Sequence, residues 1–199
     1  MRRADADFDE AFFHRYYGDA ATRVADAGDA ARLVGLLGGV LDYVGVGVRR
    51  ILDAGCGVGL LRAPLLERYP KARYEGLEAS PFLCRKFGWR QGSVADFRTA
   101  SRYDLVVCHD VLQYLDDAAA ARALANLARL SRAAVYFSVL TRGDWRRAAD
   151  QSRTDRDVHL RPADWYRARL RRRFRHLGAG VYLVRPMKPI LWELEEPWV

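Results

Sequence analysis

The sequence predicts an α/β protein built on a mostly parallel β-sheet that helices cover on both faces. Two observations predict this class. Short apolar strands alternate with helical segments from residue 51 to residue 140, an alternation typical of parallel sheets. Two further strands then follow the last helix with no helix between them. We therefore expect the sheet to end in an antiparallel C-terminal strand pair.

Two helices are expected before the sheet. The first is the aromatic, amphipathic segment 8–17, and Gly18 is expected to end it. The second covers 29–42, where apolar residues recur with a period near 3.6, and Asp29 is a suitable N-cap. Both helices precede the first strand, so they are available to cover one edge of the sheet.

The remaining elements follow in alternation. The seven predicted strands are 51–54, 73–77, 91–94, 103–108, 133–140, 180–184 and 190–194. The predicted helices between and after them are 60–68, 81–87, 118–130 and 162–175. Segment 141–161 shows no helical pattern. Such sheets bind ligands beyond the carboxyl ends of their strands, and four segments should therefore face a site: 53–59, 78–80, 92–97 and 108–114.

Composition excludes several classes of protein. Half of the 199 residues are hydrophobic, which argues against a disordered chain, and apolar runs are too short to span a bilayer. Three cysteines make neither a disulfide framework nor a metal-binding pattern. We expect a cytoplasmic protein with reduced thiols, no metal and no membrane association.

The positive charge is concentrated in one segment. The chain carries 33 basic and 25 acidic residues, a net charge of +8. Residues 142–175 contain 12 arginines and 5 aspartates, a net of +7, and the rest of the chain nets +1. The run at 167–175 is either a solvated helix surface or a binding surface for an anionic partner.

The glycine-rich loop after the first strand is the most informative motif. Asp53 precedes a G-x-G-x-G pattern at Gly55, Gly57 and Gly59, which differs from the G-x-G-x-x-G of dinucleotide-binding proteins. The Asp53 carboxylate would repel a pyrophosphate and would suit an ammonium group. Glu78 ends the second strand, where an acidic side chain can accept both hydroxyls of a ribose. Asp53 and Glu78 together call for a nucleoside that has a ribose and an amino group but no phosphate. S-adenosylmethionine fits this description.

Four motifs together resemble class I S-adenosylmethionine-dependent methyltransferases. They are 51–59, 74–80, 91–97 and 103–115, in the order and at the spacing of that family. The resemblance is tight over 50–115 and extends in element order from about residue 8 to the C-terminus. It implies a Rossmann-like seven-stranded sheet, S-adenosyl-L-methionine as cofactor and S-adenosyl-L-homocysteine as product.

The resemblance also implies roles for individual residues of the cofactor site. The methionine part would be held by Asp53 and the loop that follows it, at Ala54, Gly55, Cys56 and Gly57. Glu78 would bind the ribose and Ala79 would pack on the adenine. The third motif lacks the family's common Gly-Asp pair, so the adenine edge would meet Val94 and either Ser93 or Asp96.

Further residues would surround the reacting centre. Cys108 and His109 would lie near the sulfonium, and Tyr17 or Arg23 near the methionine carboxylate, on an N-terminal helix that closes over the cofactor. The reaction requires a general base only if the acceptor must lose a proton. The candidates for a catalytic role are His109, Asp110, Tyr114 and His159. Tyr114 replaces a histidine that is common in the family at that point.

We expect a single domain over 1–199. It comprises N-terminal helices over the site (1–45), a cofactor-binding core (46–140), a variable substrate-side segment (141–162) and a C-terminal helix with a strand pair (163–199). The expected activity is methyl transfer to a small-molecule acceptor. The alternatives are a methyltransferase acting on nucleic acid or protein, which the +7 segment motivates, and a cofactor-binding scaffold without activity.

Overall fold

The sheet predicted from sequence is confirmed in a computed structural model, which describes residues 8–195. Within that range the strands are β1 (Arg50–Ala54), β2 (Arg73–Glu78), β3 (Arg90–Gln91), β4 (Tyr103–His109), β5 (Ser131–Ser138), β6 (Phe174–Gly178) and β7 (Val181–Val184). These seven strands lie in the order β3-β2-β1-β4-β5-β7-β6. The first five are parallel, and β7 runs antiparallel to both β5 and β6.

Helices cover both faces of this sheet. They are α1 (Glu10–Phe13), α2 (Ala27–Tyr43), α3 (Arg62–Arg68), α4 (Pro81–Phe87), α5 (Asp117–Leu130), α6 (Arg142–Arg147) and α7 (Ala163–Leu170), with a π-helical turn at His14–Gly18 and 3-10 turns at Leu112–Tyr114 and Glu193–Glu195. Helices α5 and α7 contribute to one buried cluster, and α2 and α3 contribute to another. No helix in the described range is both long enough and apolar enough to cross a membrane.

The antiparallel strand pair is present, but its position differs from the prediction. Strand β7 lies within the predicted 180–184, whereas its partner is β6 and not 190–194. Helix α7 ends at Leu170, and the buried Phe174 opens a strand instead of continuing the helical stripe. The segment predicted as the last strand exposes Ile190, Trp192 and Leu194, and the prolines before it interrupt any ladder of hydrogen bonds.

Several boundaries also differ for local reasons. Asp26, not Asp29, caps α2: its carboxylate accepts hydrogen bonds from the backbone N–H groups of Gly28 and Asp29, and the Asp29 carboxylate accepts one from the Asp26 N–H. A similar capping box between Thr141 and Asp144 starts α6 within a segment where no helix was predicted. The third strand is reduced to the two residues of β3.

Candidate active site

Two adjoining cavities lie at the carboxyl ends of β1, β2 and β4. The first, here called the Asp53 cavity, has a volume of about 320 Å³ and extends toward the start of α2. The second, the Glu78 cavity, has a volume of about 140 Å³. The residues that line both are Tyr17, Gly55, Gly57, His109 and Asp110. The glycine loop and the end of β4 therefore form the boundary between the two chambers.

The glycine loop needs its glycines. Gly55 has φ 85° and donates its N–H to the Leu77 carbonyl at 2.7 Å. A β-carbon at Gly55 would lie 2.3 Å from Val111 Cγ2, so the absence of a side chain permits the approach of the loop after β4. Trp89 supports the other side of the loop, because its indole Nε1 donates to the Gly57 carbonyl at 3.0 Å. Trp89 was not predicted as a site residue, because it follows a helix and belongs to no motif.

Glu78 is oriented by backbone N–H groups. The side chain belongs to a residue only 7% exposed. One carboxylate oxygen accepts a hydrogen bond from the Gly57 N–H at 2.8 Å and the other accepts one from the Ser80 N–H at 2.9 Å. A carboxylate has about four acceptor positions, so a group held in this way can also accept vicinal hydroxyls in the Glu78 cavity. Glu78, which the sequence predicted to bind a ribose, thus lines this cavity.

Asp53 is the second buried carboxylate of the site. It is 2% exposed and lines the Asp53 cavity, and its Oδ2 accepts a hydrogen bond from the Tyr74 hydroxyl at 2.7 Å. Burial raises the pKa of Asp53 to about 7, the Tyr74 hydrogen bond opposes the rise, and the nearby Glu78 charge adds to it. A cation that entered the cavity would favour the ionised form. The site thus suits a ligand with an ammonium group.

The remaining loop residues have different surroundings. Cys56 is buried and lines the Asp53 cavity, whereas Ala54 is fully buried in the sheet and lines neither cavity. Burial raises the pKa of the Cys56 thiol well above its usual value. Cys56 therefore lines the cavity as a neutral, largely apolar group.

Three of the four residues expected to contact an adenine line the Glu78 cavity. Ala79, Ser93 and Val94 line the Glu78 cavity. Asp96 lines neither cavity: its side chain is 64% exposed and lies 3.5 Å from the Arg122 guanidinium. Of the two alternatives that the sequence left open at this edge, the structure therefore places Ser93 at the cavity and Asp96 outside it.

An aromatic N-terminal segment covers the Glu78 cavity. Phe8, Phe12 and Tyr17 line it, the Phe8 ring contacts Tyr114 edge-to-face at 5.2 Å, and the Phe8 carbonyl accepts a hydrogen bond from the Ser80 hydroxyl at 2.5 Å. Burial raises the pKa of Tyr17 well above its usual value, so its hydroxyl is neutral. The N-terminal segment that was expected to cover the cofactor therefore lies at this cavity through Tyr17, and Tyr114 lines it as well.

Arg23 differs from the expectation. It lines neither cavity, and its guanidinium pairs with the Asp26 carboxylate at 3.1 Å. Asp26 and Asp29, which cap α2, line the Asp53 cavity instead. Of the two residues proposed for a methionine carboxylate, Tyr17 is the one that the structure brings to the site.

The end of β4 brings His109 and Asp110 to both cavities. Asp110 has φ 55°, a left-handed conformation that is uncommon for a residue with a side chain and recurs at functional sites. The neighbouring strand holds it, because the Asp110 N–H donates to the Ser138 carbonyl at 3.0 Å and the Ser138 hydroxyl donates to the Asp110 carboxylate at 3.4 Å. The His109 Nε2 lies 3.5 Å from the same carboxylate.

Two other predicted residues lie away from the cavities. Cys108 is fully buried in the core and lines neither, and burial raises the pKa of its thiol well above the usual value. The side chain of His159 is exposed and lines neither cavity, although its backbone N–H donates to the Gln113 carbonyl at 2.7 Å. Neither the Cys108 nor the His159 side chain is therefore in a position to contact a ligand in these two cavities.

Arg161, in segment 141–162, supports the wall of the Glu78 cavity. It is 4% exposed, and its guanidinium donates to the Leu112 carbonyl at 3.0 Å, to the Leu115 carbonyl and to the Asp117 carboxylate at 2.7 Å. These bonds fix the 3-10 turn that presents Tyr114 to the Glu78 cavity. Sequence reasoning missed Arg161 because it is one of 12 arginines in the basic segment.

Comparisons with known proteins agree with this geometry. Residues 52–134 match the model of a methyltransferase domain. The trans-aconitate 2-methyltransferase of Azoarcus sp. is 33% identical over 74 residues, which make up 34% of this chain and 29% of that enzyme. The chain thus aligns with less than a third of this curated relative's length.

Solved structures share the fold. The sugar N-methyltransferase KedS8 from Streptoalloteichus sp. superposes with a TM-score of 0.61 at 22% identity, over 88% of this chain and 92% of that one. The N-methyltransferase NodS from Bradyrhizobium japonicum superposes with a TM-score of 0.60 at 17% identity, over 89% and 98%. Residues 52–134 thus carry a methyltransferase domain, and the chain shares its fold with these solved methyltransferase structures.

Proposed function

We propose that the protein binds S-adenosylmethionine and transfers its methyl group to a small-molecule acceptor. One observation carries the proposal: Asp53 and Glu78, two buried carboxylates, flank a glycine loop whose Gly57 N–H holds one of them. A nucleotide phosphate would be repelled at both positions. A ribose beside an ammonium group would be bound at both, and the match of residues 52–134 to a methyltransferase domain supports the same cofactor.

Each part of the cofactor has residues that suit it. Glu78 would accept the ribose hydroxyls, and Ala79, Ser93 and Val94 would enclose the adenine together with the aromatic cover. Asp53 and the backbone at Gly55 and Gly57 would hold the methionine part. Bound S-adenosylmethionine supplies a methyl group on a positively charged sulfur. The contribution of the chain is mainly to position an acceptor in line with that methyl group.

His109 and Asp110 are the residues proposed to face the reacting centre, because they line both cavities. If the acceptor must lose a proton, this pair would receive it. An acceptor that is already nucleophilic would require only positioning. A small molecule is favoured because the chambers are of modest volume and because trans-aconitate, after which the similar Azoarcus enzyme is named, is small.

Isothermal titration calorimetry with S-adenosylmethionine and, separately, with S-adenosylhomocysteine tests the first half of the proposal. We expect micromolar binding of both, and lack of binding by a folded sample would refute the site. Transfer of a labelled methyl group to a panel of acids, amines and alcohols tests the second half. Tight cofactor binding without transfer to any of them would favour the scaffold alternative.

A further inference from the structure

A third cavity lies beside the two already described, at the carboxyl end of β5. This chamber, here called the β5 cavity, has a volume of about 420 Å³. Its walls come from the end of β5, from α6 and α7, and from the turn between β6 and β7. Two arginines, Arg147 and Arg167, line it. Both belong to the basic segment 142–175, whose net charge of +7 the proposed cofactor site does not explain.

The β5 cavity is close to the proposed reacting centre. Ser138 lines it, and the Ser138 hydroxyl lies 3.4 Å from the carboxylate of Asp110. Tyr136 also lines it, and its ring centroid is 5.8 Å from that of His109. Neighbouring strands are about 4.8 Å apart, so an acceptor in the β5 cavity can extend across one strand to the end of β4.

The charge of this cavity is positive. Arg147 is exposed and has no carboxylate partner within the described residues. Arg167 pairs with Asp164 at 3.0 Å, but the two side chains are 74% and 88% exposed, and such pairs are weak. The Asp144 carboxylate also lines the cavity, where it accepts hydrogen bonds from the Thr141 hydroxyl at 2.6 Å and from the Thr141 N–H at 3.0 Å.

We propose that the β5 cavity binds an oxyanion group, carboxylate or phosphate, of the methyl acceptor through Arg147 and Arg167. Guanidinium groups bind such oxyanions through paired N–H donors. The proposal rests on the proposed function, and it makes the acceptor an anionic small molecule. An alternative is that the basic segment as a whole attracts nucleic acid.

The test uses the full chain saturated with S-adenosylhomocysteine, titrated with citrate, glycerol 3-phosphate and uncharged glycerol. We expect citrate or glycerol 3-phosphate to bind and glycerol not to bind; the tighter of the two anions identifies the oxyanion. Arg147→Gln and Arg167→Gln should each weaken that binding about tenfold, the scale of one charged hydrogen bond. The matched control is Arg172→Gln, an exposed arginine of the same segment outside the cavity, and it should change the affinity less than twofold.

The outcomes separate the two proposals. If S-adenosylhomocysteine binds and neither anion does, the oxyanion site is refuted while the cofactor site stands. If S-adenosylhomocysteine does not bind, both proposals fail. An equal loss in Arg172→Gln and Arg147→Gln would show diffuse attraction instead of a site. Single-stranded RNA that binds with a steep salt dependence and displaces citrate would favour the nucleic-acid alternative and overturn this one.

Discussion

Replacing Glu78 with glutamine tests the ribose assignment with little change of shape. The carboxylate accepts hydrogen bonds from the N–H groups of Gly57 and Ser80 at 2.8 and 2.9 Å. An amide has one acceptor oxygen, so its NH₂ group would face one of these donors. A hydrogen bond to a charged group contributes about 1.5–3 kcal/mol, and we therefore expect S-adenosylhomocysteine to bind about 10- to 150-fold more weakly to Glu78→Gln.

The matched control is Glu75→Gln in the same strand. Glu75 accepts a hydrogen bond from the Tyr103 hydroxyl at 2.6 Å and pairs with Arg90 at 3.1 Å, and it lines neither cavity. The substitution Glu75→Gln should lower the free energy of unfolding without changing the dissociation constant of S-adenosylhomocysteine measured by calorimetry.

A ligand lacking the 2′-hydroxyl sharpens the test. The 2′-deoxy analogue of S-adenosylhomocysteine should already bind more weakly to the wild-type protein, and Glu78→Gln should weaken it less than it weakens the parent ligand. If Glu78→Gln lowers the affinity for both ligands by the same factor, the carboxylate acts through the glycine loop and not through the ribose. Unchanged affinity for both would refute the placement of the ribose altogether.

Three further predictions follow from single contacts. Gly55→Ala places a β-carbon 2.3 Å from the Val111 side chain at a residue with φ 85°. We expect the free energy of unfolding to fall by about 2–3 kcal/mol and the Tm in calorimetric scans to fall by about 4–12 °C. The control Gly39→Ala, which has open space around it, should not lower the Tm. Because burial raises the folded-state pKa of Asp53 to about 7, folding takes up a proton between about pH 4 and pH 7. Stability should therefore fall by up to about 4 kcal/mol as the pH rises through that window, and urea melts of Asp53→Asn that show the same fall would contradict this. Arg161→Lys keeps the charge but loses donors to the turn after β4, so S-adenosylhomocysteine should bind about tenfold more weakly by calorimetry; unchanged affinity would show that the turn is held without it.

The parts of the site that sequence predicted are those fixed by local backbone geometry. Gly55 and Glu78 could be assigned because a strand, a tight glycine loop and the end of the next strand determine their positions relative to one another. The choice between Ser93 and Asp96 could not be made, because both follow a strand of only two residues. Their positions depend on how the following loop packs, and the contact of Asp96 with Arg122 is a tertiary one.

Cys108 shows a second limit. Neighbouring residues of a strand point to opposite faces, but β4 is buried on both faces as far as Cys108, so its sequence lacks the alternation that would reveal which residues face the site. The error at the C-terminus has a similar origin. Tyr166, Leu170 and Phe174 recur every four residues as in a helix, yet Phe174 is buried because it begins β6.

Hydrogen bonds connect the N-terminal region to the turn beside Glu78 and to segment 141–162. The Phe8 carbonyl accepts a hydrogen bond from the Ser80 hydroxyl beside Glu78, and the Arg153 guanidinium, in segment 141–162, donates to the Arg23 carbonyl. A nucleoside in the Glu78 cavity would contact the same aromatic rings and the same Glu78–Ser80 turn. Occupancy of the cavity should therefore stabilise the cover against opening and, through Arg153, the segment that contributes to the proposed acceptor site. This arrangement favours cofactor binding before acceptor binding.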